Sequence, residues 1–196
     1  MEHLKLYSDD ELAWLTKVAN RPLMVWGILP AAALAVIVAA LASREIESVA
    51  AACDGSTTLL CERITTLYAV SPRAVVWQVA GLAAAAFVAP AVLAITLWGY
   101  ARIPEDVRTA RPFHGGLFFT MAFYGAIAFG MLHLTFAKDV GLRLDSASGR
   151  AVFLTPLFCG LSLSVGISTG LVAASIVVLI RKALRADAFT GPFSGS

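Results

Sequence analysis

Ala151–Ile180 reads AVFLTPLFCGLSLSVGISTGLVAASIVVLI, thirty residues without an Asp, Glu, Lys or Arg. A helix crossing the ~30 Å hydrocarbon core of a bilayer needs roughly 20 apolar residues, so this run is long enough to span with some tilt. Three further charge-free runs meet the same requirement: Pro22–Ser43, Ala74–Ala101 and Pro112–Ala137. Nothing alternates like the strands of an outer-membrane barrel, and backbone in lipid must then satisfy itself within helices. The sequence predicts an all-α, polytopic integral membrane protein with four transmembrane helices arranged as two antiparallel hairpins. The segments are 1–21, a cytoplasmic N-terminal stretch; 22–43, the first span; 44–73, an extracytoplasmic loop; 74–101, the second span; 102–111, a cytoplasmic loop; 112–137, the third span; 138–150, an extracytoplasmic loop; 151–180, the fourth span; and 181–196, a cytoplasmic tail.

Composition agrees. The 196 residues are 59% hydrophobic and 14% charged, with a mean hydropathy of +0.79, whereas soluble domains run about 45–50% apolar and about 25% charged. This excludes a disordered chain, a disulfide-dense secreted module and an ordinary nucleic-acid binder. A net charge of +2 implies no polyanionic partner.

Before the first span, Ser8 and Glu11 have capping-box spacing, and Leu12, Leu15, Val18 and Ala19 follow at helical intervals beside Trp14. Residues 9–19 therefore read as an amphipathic helix lying at the cytoplasmic interface. It is expected to stop near Asn20-Arg21-Pro22, because proline disfavours helical geometry in the residue before it. The mixed charge of this stretch is unlike the short basic start of a signal peptide, so Met1 is expected to stay on the mature chain.

Lys and Arg number nine in the two termini and middle loop together, against six in the other two loops. The positive-inside rule then puts both termini in the cytoplasm of a bacterial inner membrane, with Arg181, Lys182 and Arg185 directly after the last span. The first loop faces an oxidising compartment in that orientation. Cys53 and Cys61 there bracket the turn-rich Asp54-Gly55-Ser56-Thr57-Thr58, which predicts a structural disulfide. Arg44–Ala52 and Glu62–Val70 on either side have helix-compatible spacing. Cys159, inside the fourth span, reads as a small buried apolar residue, and the Gly-Pro-Phe-Ser-Gly-Ser ending reads as flexible.

Two hairpin-level similarities point to an internal duplication. Ser71-Pro72-Arg73-Ala74-Val75 opens the second span and Ser148-Gly149-Arg150-Ala151-Val152 the fourth. Arg21-Pro22 opens the first and Arg111-Pro112 the third. Repeats in this order would be parallel, related by an axis along the membrane normal.

Small residues mark the fourth span in two lines. One holds Ser162, Gly166, Gly170 and Ala174, the other Gly160, Ser164 and Ser168; such lines let helix backbones approach closely in lipid. Both intramolecular packing and a face for a partner are expected of them. Weaker lines are Gly81, Ala85 and Ala89 on the second span and Ala122, Ala126 and Gly130 on the third. Pro30, Pro90 and Pro156 read as kinks, with Thr155 placed to compensate beside Pro156. Trp77, Trp98 and Tyr100 read as interfacial anchors.

Titratable groups inside the spans are few. His114 and His133 lie 19 residues apart, near opposite ends of the third span, too distant to share a metal or one haem. His133 is the single candidate for a quinone or a haem held with a partner's ligand. The Phe-rich third span offers a surface for lipid, quinone or carotenoid. No HExxH, CxxC, Walker loop, GxSxG or intramembrane carboxylate pair occurs, so no catalytic residue, metal or cofactor is predicted, although bound lipid is expected.

The principal reading is a non-catalytic membrane subunit of a larger inner-membrane complex, such as a secretion or conjugation machine or a respiratory or photosynthetic assembly. Its partners would be other membrane subunits and the lipid bilayer, not nucleic acid. The alternatives are a small transporter or channel built from the two hairpins, using Gln78, Thr96, Thr120, Tyr124 and the hydroxyls of the fourth span, and a haem- or quinone-binding protein using His133. An immunity, exclusion or toxin-type protein is a remaining class.

Overall fold

The computed structural model describes residues 9–107, 125–126 and 156–189. Among the described residues, regular structure is entirely helical: α1 (Asp9–Pro22), a π-helical segment (Leu23–Ile28), α2 (Leu29–Ala52), α3 (Leu59–Val70), α4 (Pro72–Ala101) and α5 (Leu157–Phe189). Three helices are long and apolar enough to cross a membrane, Asp10–Ala52, Pro72–Ala101 and Leu157–Lys182. They carry the first, second and fourth charge-free runs. The third run, apart from Gly125 and Ala126, lies outside the described residues, together with His114, Tyr124, His133 and Ser8.

The first helix corrects the sequence expectation. Instead of stopping near Pro22, the chain stays helical from Asp10 to Ala52, with Pro22 at φ −56°, ψ −40°. Pro22 and Pro30 each lack the N–H that would bond one turn back, and their rings crowd that turn. Between them the helix widens, and Leu29 N–H donates to the Met24 carbonyl five residues back. A wider turn accommodates two such defects without ending the helix. Packing favours the same outcome, because the whole length lies along α4. Ala19 and Leu15 approach Gly99, and Gly27 faces Ala91 and Ile95. Further on, Ala31 packs with Val88 and Val92, and Ala39 with Val76 and Ala80. Numbers rise on one helix as they fall on the other, so the two run antiparallel. Helix α1 is thus an extension of the first span packed on α4, not a separate helix lying at the membrane interface.

At its far end the first helix breaks locally at Glu45 (φ −110°, ψ 15°), two residues after the charge-free run. The remaining turns to Ala52 are the short helix expected from Arg44. Gly55 turns the chain with φ +74°, a left-handed conformation that costs glycine little. Thr58 then caps α3, its hydroxyl accepting from Cys61 N–H at 3.4 Å, so α3 starts at Leu59 rather than Glu62.

Helix α4 is the centre of the fold, with α1, α2, α3 and α5 all packing on it. Gly81 meets Phe158 and Ser162, Ala85 and Val88 meet Gly166, and Ala89 and Val92 meet Gly170. Here the numbers rise together, so α4 and α5 run parallel. Pro156 stands in the turn immediately before Leu157, where the described helix begins; residues 151–155, Thr155 among them, lie outside the described residues. The helix continues through Ala183 to Phe189, beyond the charge-free run that ends at Ile180; the Gly-Pro-Phe-Ser-Gly-Ser ending lies outside the described residues. Pro90 lies inside α4, which remains one helix across it.

Candidate functional site

The small residues of α5 divide between two surfaces. Along the first line, Ser162 is buried, Gly166 and Gly170 abut α4, and Ala174 is fully enclosed. The fit is close: a Cβ built on Gly166 would lie 2.8 Å from the Ala85 carbonyl oxygen, and one on Gly170 2.7 Å from Val92 Cβ. Only glycine permits that approach, and in lipid such contact is a main source of helix association. The second line is split. Ser168 is buried, but Gly160 and Ser164 are exposed. Among the described residues nothing lies within 4 Å of a Cβ built on Gly160, and the Ser164 hydroxyl donates back to the Gly160 carbonyl at 3.1 Å.

At the end of the molecule where α1 begins and α4 finishes, Lys182 on α5 meets Glu11 on α1. Lys182 Nζ donates to Glu11 Oε2 at 2.9 Å and to Oε1 at 3.2 Å, with the two side chains 4% and 0% exposed. Leu15, Tyr100, Ile103 and Val178 form the apolar surroundings, and Lys182 Nζ stands 6.0 Å from the Tyr100 ring centroid. A buried pair of this kind repays its desolvation only through good geometry, and removing one partner strands a charge in an apolar setting. One sequence expectation changes here: Tyr100 is buried rather than an interfacial anchor. Ser8, the other half of the expected capping box, lies outside the described residues. Trp98 remains exposed, with the Arg102 guanidinium 4.2 Å above its ring.

The pair was missed in the sequence because its members lie 171 residues apart. A signal did exist: Glu11 precedes buried Leu15 by four residues, and Lys182 follows buried Val178 by four. Each charge therefore sits on the apolar face of its own helix, and the two are opposite in sign.

At the opposite end, Cys53 and Cys61 form the expected disulfide, with Cα atoms 4.8 Å apart. Cys53 is buried with Ile64, Leu67, Ala74, Val75 and Phe158, so the bridge fastens the end of α2 and the start of α3 over the beginning of α4. Cys159 is free and half-buried, and its thiol donates to the Trp77 carbonyl at 3.5 Å.

Among the residues weighed for transport, Gln78 is 1% exposed on α4. Its Nε2 has no hydrogen-bond partner, as is also true of Trp14 Nε1. Thr96 lies on the same helix, half-buried; Thr120 and Tyr124 are outside the described residues, as is His133. No group of three or more His, Cys, Asp or Glu able to hold a metal occurs among the described residues.

No protein-family model matches this chain, and neither a curated protein nor a solved structure shows significant similarity to it.

Proposed function

We propose that the protein is a non-catalytic structural or assembly subunit of a larger bacterial inner-membrane complex, and that α5 carries a contact with its partners. The observation that carries this reading is the outward surface at Gly160 and Ser164. Lipid tails gain little from a small-residue surface, whereas a second helix laid on it gains close backbone packing. Among the described residues the α4 seam uses the other small line and nothing covers the exposed one, which favours an intermolecular contact there.

The proposal includes four spans in two antiparallel hairpins. Two parallel spans cannot be joined without a return across the bilayer, and Pro112–Ala137 is the charge-free run between α4 and α5. It also includes cytoplasmic termini, supported by the gathering of Arg102, Arg181 and Lys182 at the end shared by α1, α4 and α5.

Extraction from native membranes in mild detergent, followed by native mass and composition, tests the reading. A large particle with stoichiometric partners, lost on Gly160→Leu, is expected. A lone small oligomer would overturn it. The second reading, a small transporter, would then rest on Gln78, whose buried and unpaired amide has hydrogen bonds to offer a polar solute. Gln78→Leu should abolish transport on that reading, and should be silent or stabilising on the first.

A further inference from the structure

A groove of about 400 Å³ runs between α2 and α4. Its walls are Val36, Ala39 and Ala40 on one side and Val76 and Trp77 on the other. At its rim stand Ser43 and Arg73. From Val36 to Ser43 the groove follows about 10 Å of helix at 1.5 Å per residue. It is therefore a narrow apolar slot, open at one polar end, on the rim side of two spanning helices.

We propose that this groove is a binding site for one anionic phospholipid, with an acyl chain between α2 and α4 and the phosphate on Arg73. Charge identifies the occupant. Arg73 is the single ionised side chain lining the groove, and among the described residues no carboxylate pairs with it. On α2 beyond the rim Arg44 is outnumbered by Glu45 and Glu47, but none of the three lines the groove, so Arg73 is the charge at its mouth. Its guanidinium presents a fork of donors that matches phosphate oxygens. Arg73 also lies in the first turn of α4, where the helix dipole favours an anion. Trp77, one turn deeper, is the residue type that sits at headgroup level. The Ser43 hydroxyl is already committed to the Ala40 carbonyl at 2.8 Å, so Arg73 alone supplies the headgroup contact. A free anion would use only the rim, and a neutral hydrophobe only the slot; an anionic lipid uses both. The site is independent of any partner on α5.

Native mass spectrometry of the full chain, delipidated in dodecyl maltoside, tests this with dioleoylphosphatidylglycerol and dioleoylphosphatidylcholine added singly and together. One phosphatidylglycerol per chain is expected, favoured about fivefold over phosphatidylcholine, the effect of one basic side chain at a membrane surface. Arg73→Gln should bring the two lipids to parity, Arg73→Lys should keep the preference, and Ala40→Trp, which fills the slot from an exposed position, should exclude both. Far-UV circular dichroism verifies that each variant is folded. Equal retention of the two lipids by the unaltered protein would overturn the proposal. So would a preference that survives Arg73→Gln, or displacement of the lipid by inorganic phosphate at equal concentration.

Discussion

Changing glycine to alanine at three positions of one helix should give stability changes of opposite sign. In a helix interior the substitution gains up to about 1 kcal/mol from propensity. At Gly160 the added methyl meets none of the described residues within 4 Å, so the gain stands alone. At Gly166 the same methyl would lie 2.8 Å from the Ala85 carbonyl oxygen and 3.0 Å from Ala85 Cα. At Gly170 it would lie 2.7 Å from Val92 Cβ. Carbon atoms pack at about 3.5–4.0 Å, so α4 and α5 must separate by roughly 0.5–1 Å, which forfeits a quarter to a half of each dispersion contact along the seam. Overpacking of this kind costs about 1–3 kcal/mol and outweighs the propensity gain. Gly81→Ala should fall between, because its closest neighbour is the Ser162 hydroxyl at 2.6 Å, which can rotate away. Thermal unfolding in mild detergent, followed by circular dichroism, reads the series at roughly 2–4 °C per kcal/mol for a chain of this size. Gly166→Ala and Gly170→Ala should melt below the unaltered protein and Gly160→Ala at or above it. Equal shifts at all three positions would refute the close parallel packing of α4 and α5.

Two further perturbations test the ends of the bundle. Glu11→Gln or Lys182→Met alone should cost about 3–5 kcal/mol, because each takes the ion-pair partner from a buried charge. Glu11→Leu with Lys182→Leu should recover most of that loss, and a double-mutant cycle showing simple additivity would dissolve the pair. Replacing Cys53 and Cys61 with Ser should remove about 2–3 kcal/mol, the loop-closure value for a short bridge. Unchanged melting of the double serine variant would show that the bridge contributes no stability.

The three long apolar helices were legible because absence of charge over twenty or more residues is a property of the local sequence, which a bilayer would impose directly. The disulfide was legible for a similar reason: eight residues with turn composition bring Cys53 and Cys61 together whatever the rest does. The end of α1 was not. The rule that proline disfavours helix in the residue before it is a local preference of modest size, and at Arg21-Pro22 it competes with packing of Leu15, Ala19 and Gly27 along α4. Tertiary contact won, with a π-helical turn absorbing the defect. The division of labour between the two small lines of α5 was equally hidden. Gly160 and Gly166 are the same residue in the same pattern, and only the position of α4 distinguishes a seam from an open face.

The distribution of constraints along α4 explains which surfaces remain available. At one end the Glu11–Lys182 pair joins α1 to α5 across Tyr100. At the other, the Cys53–Cys61 bridge joins α2 to α3 over Ala74 and Val75. Between them, α5 is held at glycine-to-backbone distance and the first helix by an antiparallel row of alanines and valines. Every described element therefore packs on α4, and the Glu11–Lys182 pair at one end and the disulfide at the other hold that arrangement. What is left outward among the described residues is apolar surface along the first helix, at Trp26 in the π-helical segment and at Val36, Ile37 and Leu41 on α2, the small face of α5 at Gly160 and Ser164, and the groove below Arg73. On the readings proposed above, the bundle meets its surroundings through these three faces. The first is suited to lipid tails, the second to a neighbouring helix and the third to a phospholipid with its headgroup at the membrane surface.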